Sequence, residues 1–271
     1  NRDGKHGVDV TPDGKVVFTS IQSLNRDLWL INPADRSVRQ LTVNRSEANE
    51  RPFVSFDGKH IYYSSLATEN YRIERMNPDG QNIEMITDGA SASDLFPNPS
   101  TDGNSVFFIR RSRGKSAIMA RTIATGTETE IALPDGMNPD SFLALSPDGK
   151  LLAFRLADNE RRIDLEEEAS SPVKIGIVSI DGDAARARIL NVETSLSQFR
   201  WSEKSDAILY IKNSGANSAI WKQNAFDEQP PERVLEIENT RIYHFKAFRK
   251  NEIVVSNGNH FDDAVMISGF N

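Results

Sequence analysis

Short apolar runs return along this chain at a nearly constant interval, and each follows a polar turn signal. They are Val16 to Phe18, Ile61 to Tyr63, Val106 to Phe108, Leu151 to Phe154, Ile208 to Tyr210 and Ile253 to Val255. Runs of this length without polar interruption suit strands buried on both faces. A second series supplies another strand per unit: Leu28 to Ile31, Tyr71 to Met76, Ile118 to Arg121, Ile175 to Ile180, Ala219 to Lys222 and Ala264 to Ile267. Most of these end in a further turn, at Asn32-Pro33, Asn77-Pro78-Asp79-Gly80, Thr125-Gly126 and Asp181-Gly182. A more polar stretch then follows, such as Val38 to Thr42 or Asn82 to Thr87, and reads as a solvated outer strand. No window of a dozen residues keeps a helical apolar stripe free of turn residues, so helices are not expected.

The turn before each apolar run is itself a repeat. It reads Thr11-Pro12-Asp13-Gly14, Ser55-Phe56-Asp57-Gly58, Ser100-Thr101-Asp102-Gly103 and Ser146-Pro147-Asp148-Gly149, at successive spacings of 44, 45 and 46 residues. Ser or Thr starts such a turn with a side-chain acceptor, Pro presets φ, and Asp-Gly suits the closing corner. Degenerate copies lie at Ser202-Glu203-Lys204-Ser205 and around Ala247 to Lys250. The period matches the four-stranded blade of a propeller, about 40 to 45 residues. The expectation is therefore an all-β fold, a six-bladed β-propeller of four-stranded antiparallel blades, with the last blade open to being incomplete. It forms a single domain over 1–271, with blades near 7–43, 48–88, 92–133, 138–193, 195–239 and 240–271. The one irregular spacing, 56 residues, falls in the fourth unit, where Asp158 to Pro172 forms a charged insertion. Its acids Asp164, Glu166, Glu167 and Glu168 have the composition of a cation site, although a solvated charge run is the simpler reading.

In these units the chain resembles the TolB-type, WD40-like propeller repeat: an acid, then Ser-Pro-Asp-Gly-Lys, an apolar strand, a second strand and a terminal Leu-Thr. Asn49 to Gly58 with Ile61 to Tyr63, Asn77 to Gly80 and Ile86-Thr87 follow that pattern, as do Asp94 to Gly103 with Val106 to Phe108. Units one and four share the turn, while units five and six depart from it. The resemblance implies a propeller of the kind found in periplasmic translocation proteins, in front domains of prolyl-oligopeptidase-like hydrolases and in sensory regions of multidomain regulators. The ending Ala264 to Asn271 is similar to the C-terminus of bacterial proteins carrying an upstream kinase or DNA-binding module. That likeness implies a sensor propeller, on the periplasmic or extracellular side.

Composition narrows the chemistry. The 271 residues are 38% hydrophobic and 26% charged, and no apolar run approaches the length a membrane helix needs. The net charge of −7 disfavours nucleic acid as a partner. With no cysteine, thiolate catalysis, disulfides and Cys-based zinc sites are excluded. The chain opens at Asn1 without Met or a signal peptide, which suggests an upstream domain of the same polypeptide.

Searches for catalytic motifs return little. Gly114-Lys115-Ser116 resembles the end of a phosphate loop, but the position of its first glycine is Ile109 and no helix follows. No Gly-x-Ser-x-Gly elbow occurs. His6, His60, His244 and His260 show no metal-ligand spacing, and Trp29, Trp201 and Trp221 suit blade packing. No catalytic residue, metal or cofactor is expected. A propeller instead gathers the loops entering its innermost strands at one mouth of a central channel. Six residues before each turn lie Lys5, Asn49, Asp94, Asp140, Leu196 and Arg241. The five polar members form the candidate ligand site, suited to a cation, a cationic group or a polar peptide end. The expected function is a noncatalytic sensor or scaffold propeller that binds a small polar ligand or a protein segment. The alternatives are a gating propeller of a prolyl-oligopeptidase-like hydrolase, a polysaccharide-cleaving propeller, and a periplasmic interaction propeller of the TolB type.

Overall fold

The computed structural model describes residues 7–21, 25–43, 46–66, 69–157, 172–193, 198–214, 217–249, 252–258 and 263–268. The first blade comprises β1 (Val8–Val10), β2 (Val16–Ser20), β3 (Asp27–Asn32) and β4 (Ser37–Gln40), and the second β5 (Ala48–Val54), β6 (Ile61–Leu66), β7 (Tyr71–Met76) and β8 (Glu84–Met85). The third comprises β9 (Ser93–Pro99), β10 (Ser105–Ser112), β11 (Lys115–Thr122) and β12 (Glu128–Glu130). The fourth holds β13 (Pro139–Leu145), β14 (Leu151–Leu156), β15 (Pro172–Ser179) and β16 (Arg188–Glu193). The fifth holds β17 (Phe199–Trp201), β18 (Ala207–Ser214), β19 (Asn217–Asn224) and β20 (Glu232–Ile237). A last sheet follows with β21 (Arg241–Arg249), β22 (Glu252–Gly258) and β23 (Asp263–Ser268). Every sheet is an antiparallel meander.

This corrects the expected count of six four-stranded blades. Five blades carry four strands, and the sixth sheet, β21-β22-β23, is short of an outer strand among the described residues. The reason is that each complete blade carries a turn and a polar fourth strand after its third, and among the described residues none follows β23. The charged insertion of the fourth unit lies outside the described residues over 158–171, as does the acidic string expected there.

The local cause of each hairpin is the repeated turn. Its hydroxyl donates to the aspartate two residues on, at 2.7 Å for Ser55–Asp57 and 2.6 Å for Ser146–Asp148. The same oxygen accepts the N–H that opens the next strand, as at His60 (3.0 Å) and Leu151 (2.9 Å). Gly58 closes its turn at φ 70, and a Cβ there would meet the Pro12 ring at 2.6 Å, so neighbouring turns pack on each other. The terminal threonine of a unit acts similarly. The hydroxyls of Thr42 and Thr87 accept the N–H groups of Leu28 (2.9 Å) and Ile73 (2.8 Å) at the start of the third strand.

The buried hydrophobic residues form a separate core between each pair of neighbouring sheets. Leu28, Val17, Ile61 and Tyr63 fill the first junction, and Ile73, Val106 and Phe108 the second. Ile118, Leu152 and Phe154 fill the third, and Ile175, Phe199 and Ile208 the fourth. Ile211, Ile220 and Phe245 join the fifth blade to the sixth sheet, and Val8, Val16 and Val254 join that sheet to the first blade. The strands β2, β6, β10, β14 and β18 are consequently almost wholly buried at their centres, as their unbroken apolar runs require. The first strands abut in series, β21 to β1, β1 to β5, β5 to β9, β9 to β13 and β13 to β17, and so line the inner wall.

Candidate functional site

The inner wall is stitched by side chains just before the turns, with Asp9 and Asn98 two residues before theirs. Asp9 accepts the N–H of Val54 on the next blade at 2.8 Å. Asn98, two repeats further on, accepts from Leu145 N–H at 3.2 Å and donates to the Leu143 carbonyl at 2.8 Å. Between the fourth and fifth blades the Trp201 indole N–H reaches the Ala144 carbonyl at 3.1 Å. Gln198 accepts the N–H of Phe245 at 3.3 Å, tying the fifth blade to the sixth sheet.

Two residues earlier than Asp9, Phe53, Asn98 and Ala144, in the first four units, the backbone departs from the strand. Arg51, Phe96 and Phe142 have φ of 57°, 60° and 54°, and each lies within a bulge between the first and second strands of its blade. Gly7 occupies the same repeat position in the first blade at φ 128°. A left-handed residue inside a bulge interrupts the alternation of faces and re-aims its side chain. Here the bulges bring Arg51, Phe96 and Phe142 around one central cavity of about 60 Å³. Gly7, Gln198, Arg200 and His244 complete its circumference, so first strands and their lead-in residues from all six sheets contribute.

The lining is aromatic and cationic. The Arg51 guanidinium lies 4.5 Å from the centre of the Phe96 ring, and the Phe96 and Phe142 rings are 5.4 Å apart. Phe53, also on the wall, faces the Lys246 ammonium at 4.9 Å. Arg51 is ion-paired with the buried Glu50, which also holds Arg26 at 2.9 Å. Arg200 is different. Its Nη1 donates to the Phe199 carbonyl at 3.2 Å, but its buried Nε has no hydrogen-bond partner among the described residues. Burial pulls its guanidinium below the usual arginine range, with the Asp9 carboxylate acting weakly in the other direction.

The residues expected at the mouth take other roles. Asp94 is buried and gripped by Arg110 through paired bonds of 2.7 and 2.9 Å, and Arg110 also holds Glu128 at 2.6 Å. The hydrogen bond to Asp94, with Glu128 assisting, raises the Arg110 guanidinium above its ordinary value. Asp140 faces Arg111 at 3.4 Å and Arg155 at 3.7 Å. Asn49 is buried and donates to Asp27 at 3.2 Å. Arg241 opens β21. Lys5 and Leu196 lie outside the described residues. The structure thus pairs both carboxylates with arginines, and Asn49, Asp94, Asp140 and Arg241 are not among the residues lining the cavity around Arg51, Phe96 and Phe142. The lining residues sit two positions closer to the turn. Their signal in the sequence is a bulky side chain at a position where Gly7 is glycine.

No family profile matches the chain. Over 100 residues it is 34% identical to an uncharacterised protein of Agrobacterium fabrum, a match covering 36% of this chain and 33% of that one. The chain therefore spans about a third of the length of the curated relative it matches. Solved structures align more widely. TolB from Acinetobacter baumannii superposes with a TM-score of 0.62 at 17% identity, over 81% of this chain and 52% of that one. The fold is TolB-like. A second TolB structure, assigned as such from Agrobacterium tumefaciens, gives a TM-score of 0.63 at 16% identity over 86% and 81% of the two chains. Oligogalacturonate lyase from Vibrio parahaemolyticus shares this TolB-like ring with a TM-score of 0.61 at 16% identity, over 98% and 75%. At such identities the likeness concerns the fold, which hosts binding proteins and enzymes alike.

Proposed function

We propose that this chain is a noncatalytic binding propeller, a sensor or scaffold module of a larger bacterial protein, with its ligand held at the central channel. The observation that carries the reading is the run of strained residues on the inner wall. Arg51, Phe96 and Phe142 each hold a left-handed backbone at one repeat position, where Gly7 shows that glycine serves without strain. Such outliers cost on the order of 1–3 kcal/mol each, and they persist where the side chain they position has a use. All three line the same cavity. The ligand is a small polar molecule or a protein segment that inserts an end between the Phe96 and Phe142 rings. Nucleic acid is not a partner in this reading, because a chain of net charge −7 repels phosphate backbones. The TolB-like fold favours placement on the periplasmic or extracellular side, with an upstream domain of the same polypeptide receiving the signal.

The test is a binding screen of the purified chain by ligand-induced chemical shifts, repeated on the Phe96→Ala/Phe142→Ala double variant. Ligands that bind the native chain are expected to lose at least tenfold in affinity on the variant. Hits indifferent to both substitutions would place binding elsewhere. Turnover of an oligosaccharide or peptide by the purified chain would overturn the noncatalytic part.

A further inference from the structure

We propose that the central channel recognises a carboxylate attached to an apolar group, paired with the Arg200 guanidinium while the apolar flank packs on Phe53, Phe96 and Phe142; this rests on the channel being the binding site. Although the chain carries a net charge of −7, no Asp or Glu among the described residues lines the cavity, whereas Arg51, Arg200 and His244 do. The charge of Arg51 is already answered by Glu50. That of Arg200 is not, because no carboxylate among the described residues lies within salt-bridge reach of it. Its strongest acidic neighbour, Asp9, is committed to Lys246 at 3.0 Å and to the N–H groups of Val10 and Val54 at 2.9 and 2.8 Å. A guanidinium whose buried Nε donor is unused among the described residues is an incomplete ion pair, and such a charge is costly until an anion completes it.

The form of the anion follows from shape and charge. The planar guanidinium fork matches the two oxygens of a carboxylate. The cavity is small, about 60 Å³, so it admits the acid group and leaves the apolar flank at the mouth. The three phenyl rings supply the surface for that flank. One uncompensated cation calls for one negative charge. A phosphate dianion would bring a second charge close to Asp9 and Glu50, which are both buried. The carboxylate belongs either to a free organic acid or to the C-terminus of a peptide.

The experiment uses phenylacetate, its neutral isostere phenylacetamide, and inorganic phosphate as calorimetric probes of the full chain. Phenylacetate is expected to bind at least tenfold more tightly than phenylacetamide and to outcompete phosphate. Arg200→Gln is expected to erase the difference between acid and amide, and Arg200→Lys, which keeps the charge, to retain part of it should the Gln variant fail to fold. Acid and amide of equal affinity, both weakened by Phe96→Ala, would overturn the carboxylate inference while leaving the channel as the site. Tighter binding of phosphate than of phenylacetate would overturn it as well. Binding of phenylacetate that survives both Phe96→Ala and Arg200→Gln would overturn the inference and the channel reading together. Comparing a short peptide ending in phenylalanine with its C-terminal amide separates the two sources: a preference for the free peptide over phenylacetate assigns a protein terminus, and the reverse assigns a small acid.

Discussion

The carboxylate of Asp9 and the ammonium of Lys246 meet at 3.0 Å across the junction between the first blade and the sixth sheet. Asp9 is 1% exposed, and it also accepts the N–H of Val54 on the second blade. One side chain thus fastens three consecutive sheets around the ring. Together with the small core of Val8, Val10, Val16 and Val254, it closes a circle whose last sheet shares no strand with the first among the described residues. Asp9→Ala leaves the Val54 N–H and the Lys246 ammonium without this acceptor, at a cost of about 2–3 kcal/mol. For a chain of this size that corresponds to a fall in Tm of roughly 5–10 °C. Thermal melting of the variant within a degree of the native value would show that the ring is closed by other means.

Gly176 provides a test of blade packing that involves no charge. It sits in β15, where an added Cβ would lie 2.8 Å from the Phe154 ring and 3.2 Å from a Leu156 methyl. Both contacts are side chains of the fourth-blade core, so neither withdraws into solvent. Gly176→Ala is expected to destabilise the chain by about 1–3 kcal/mol, the usual effect of overpacking. Urea denaturation should show a lower midpoint with an unchanged slope. An unchanged midpoint would mean that Phe154 re-seats without loss.

The blades that were easiest to read in the sequence are those whose turns are self-contained. Ser55, Asp57 and the Lys59 and His60 N–H groups form one hydrogen-bonded unit within six residues, so the letters alone specify it. The fifth turn reads as a degenerate copy because it performs the same task with other residues. Ser202 pairs with Asp206 at 2.6 Å, and Ser205 takes the left-handed place of glycine at φ 58°. The site was harder. Counting six residues back from the turn finds Asp94 and Asp140, but their partners Arg110, Arg111 and Arg155 come from the paired strand or the neighbouring blade. Those pairings depend on register and on blade adjacency, neither of which is written locally. The bulges at Arg51, Phe96 and Phe142 then break the alternation on which any count of faces relies.

The β10–β11 hairpin turns through Arg113 and Gly114, at φ 47° and 79°. Positive φ at both central residues is the pattern of the type I′ turn, for which Asn-Gly is preferred because asparagine tolerates the left-handed region better than arginine. Arg113 is exposed and carries no packing that the substitution would remove. Arg113→Asn is therefore expected to stabilise the chain by about 0.5 kcal/mol. A higher urea midpoint checks this, and a lower one would show that the Arg113 side chain contributes more than its backbone strain costs.

Acid stability should report on the repeated turn. The Ser55 hydroxyl and the Lys59 N–H both donate to the Asp57 carboxylate, and these bonds lower its pKa to about 2. Asp13 is lowered as well, by Lys15 and then the Thr11 hydroxyl, Asp102 by the Ser100 hydroxyl, and Asp148, against the opposing effect of burial, by the Ser146 hydroxyl. An aspartate in the unfolded chain titrates near ~3.9, so the folded state binds fewer protons between these values. The stabilisation from the Asp57 turn is then present above about pH 4 and is lost as pH falls toward 2. Since Asp57 is 48% exposed, solvent screening holds its share to about 1 kcal/mol or less. Asp57→Asn is expected to melt about 1–3 °C below the native chain at pH 6, with the difference closing by pH 2. A gap that stayed constant across that range would assign the loss to turn geometry rather than to the charged form of Asp57.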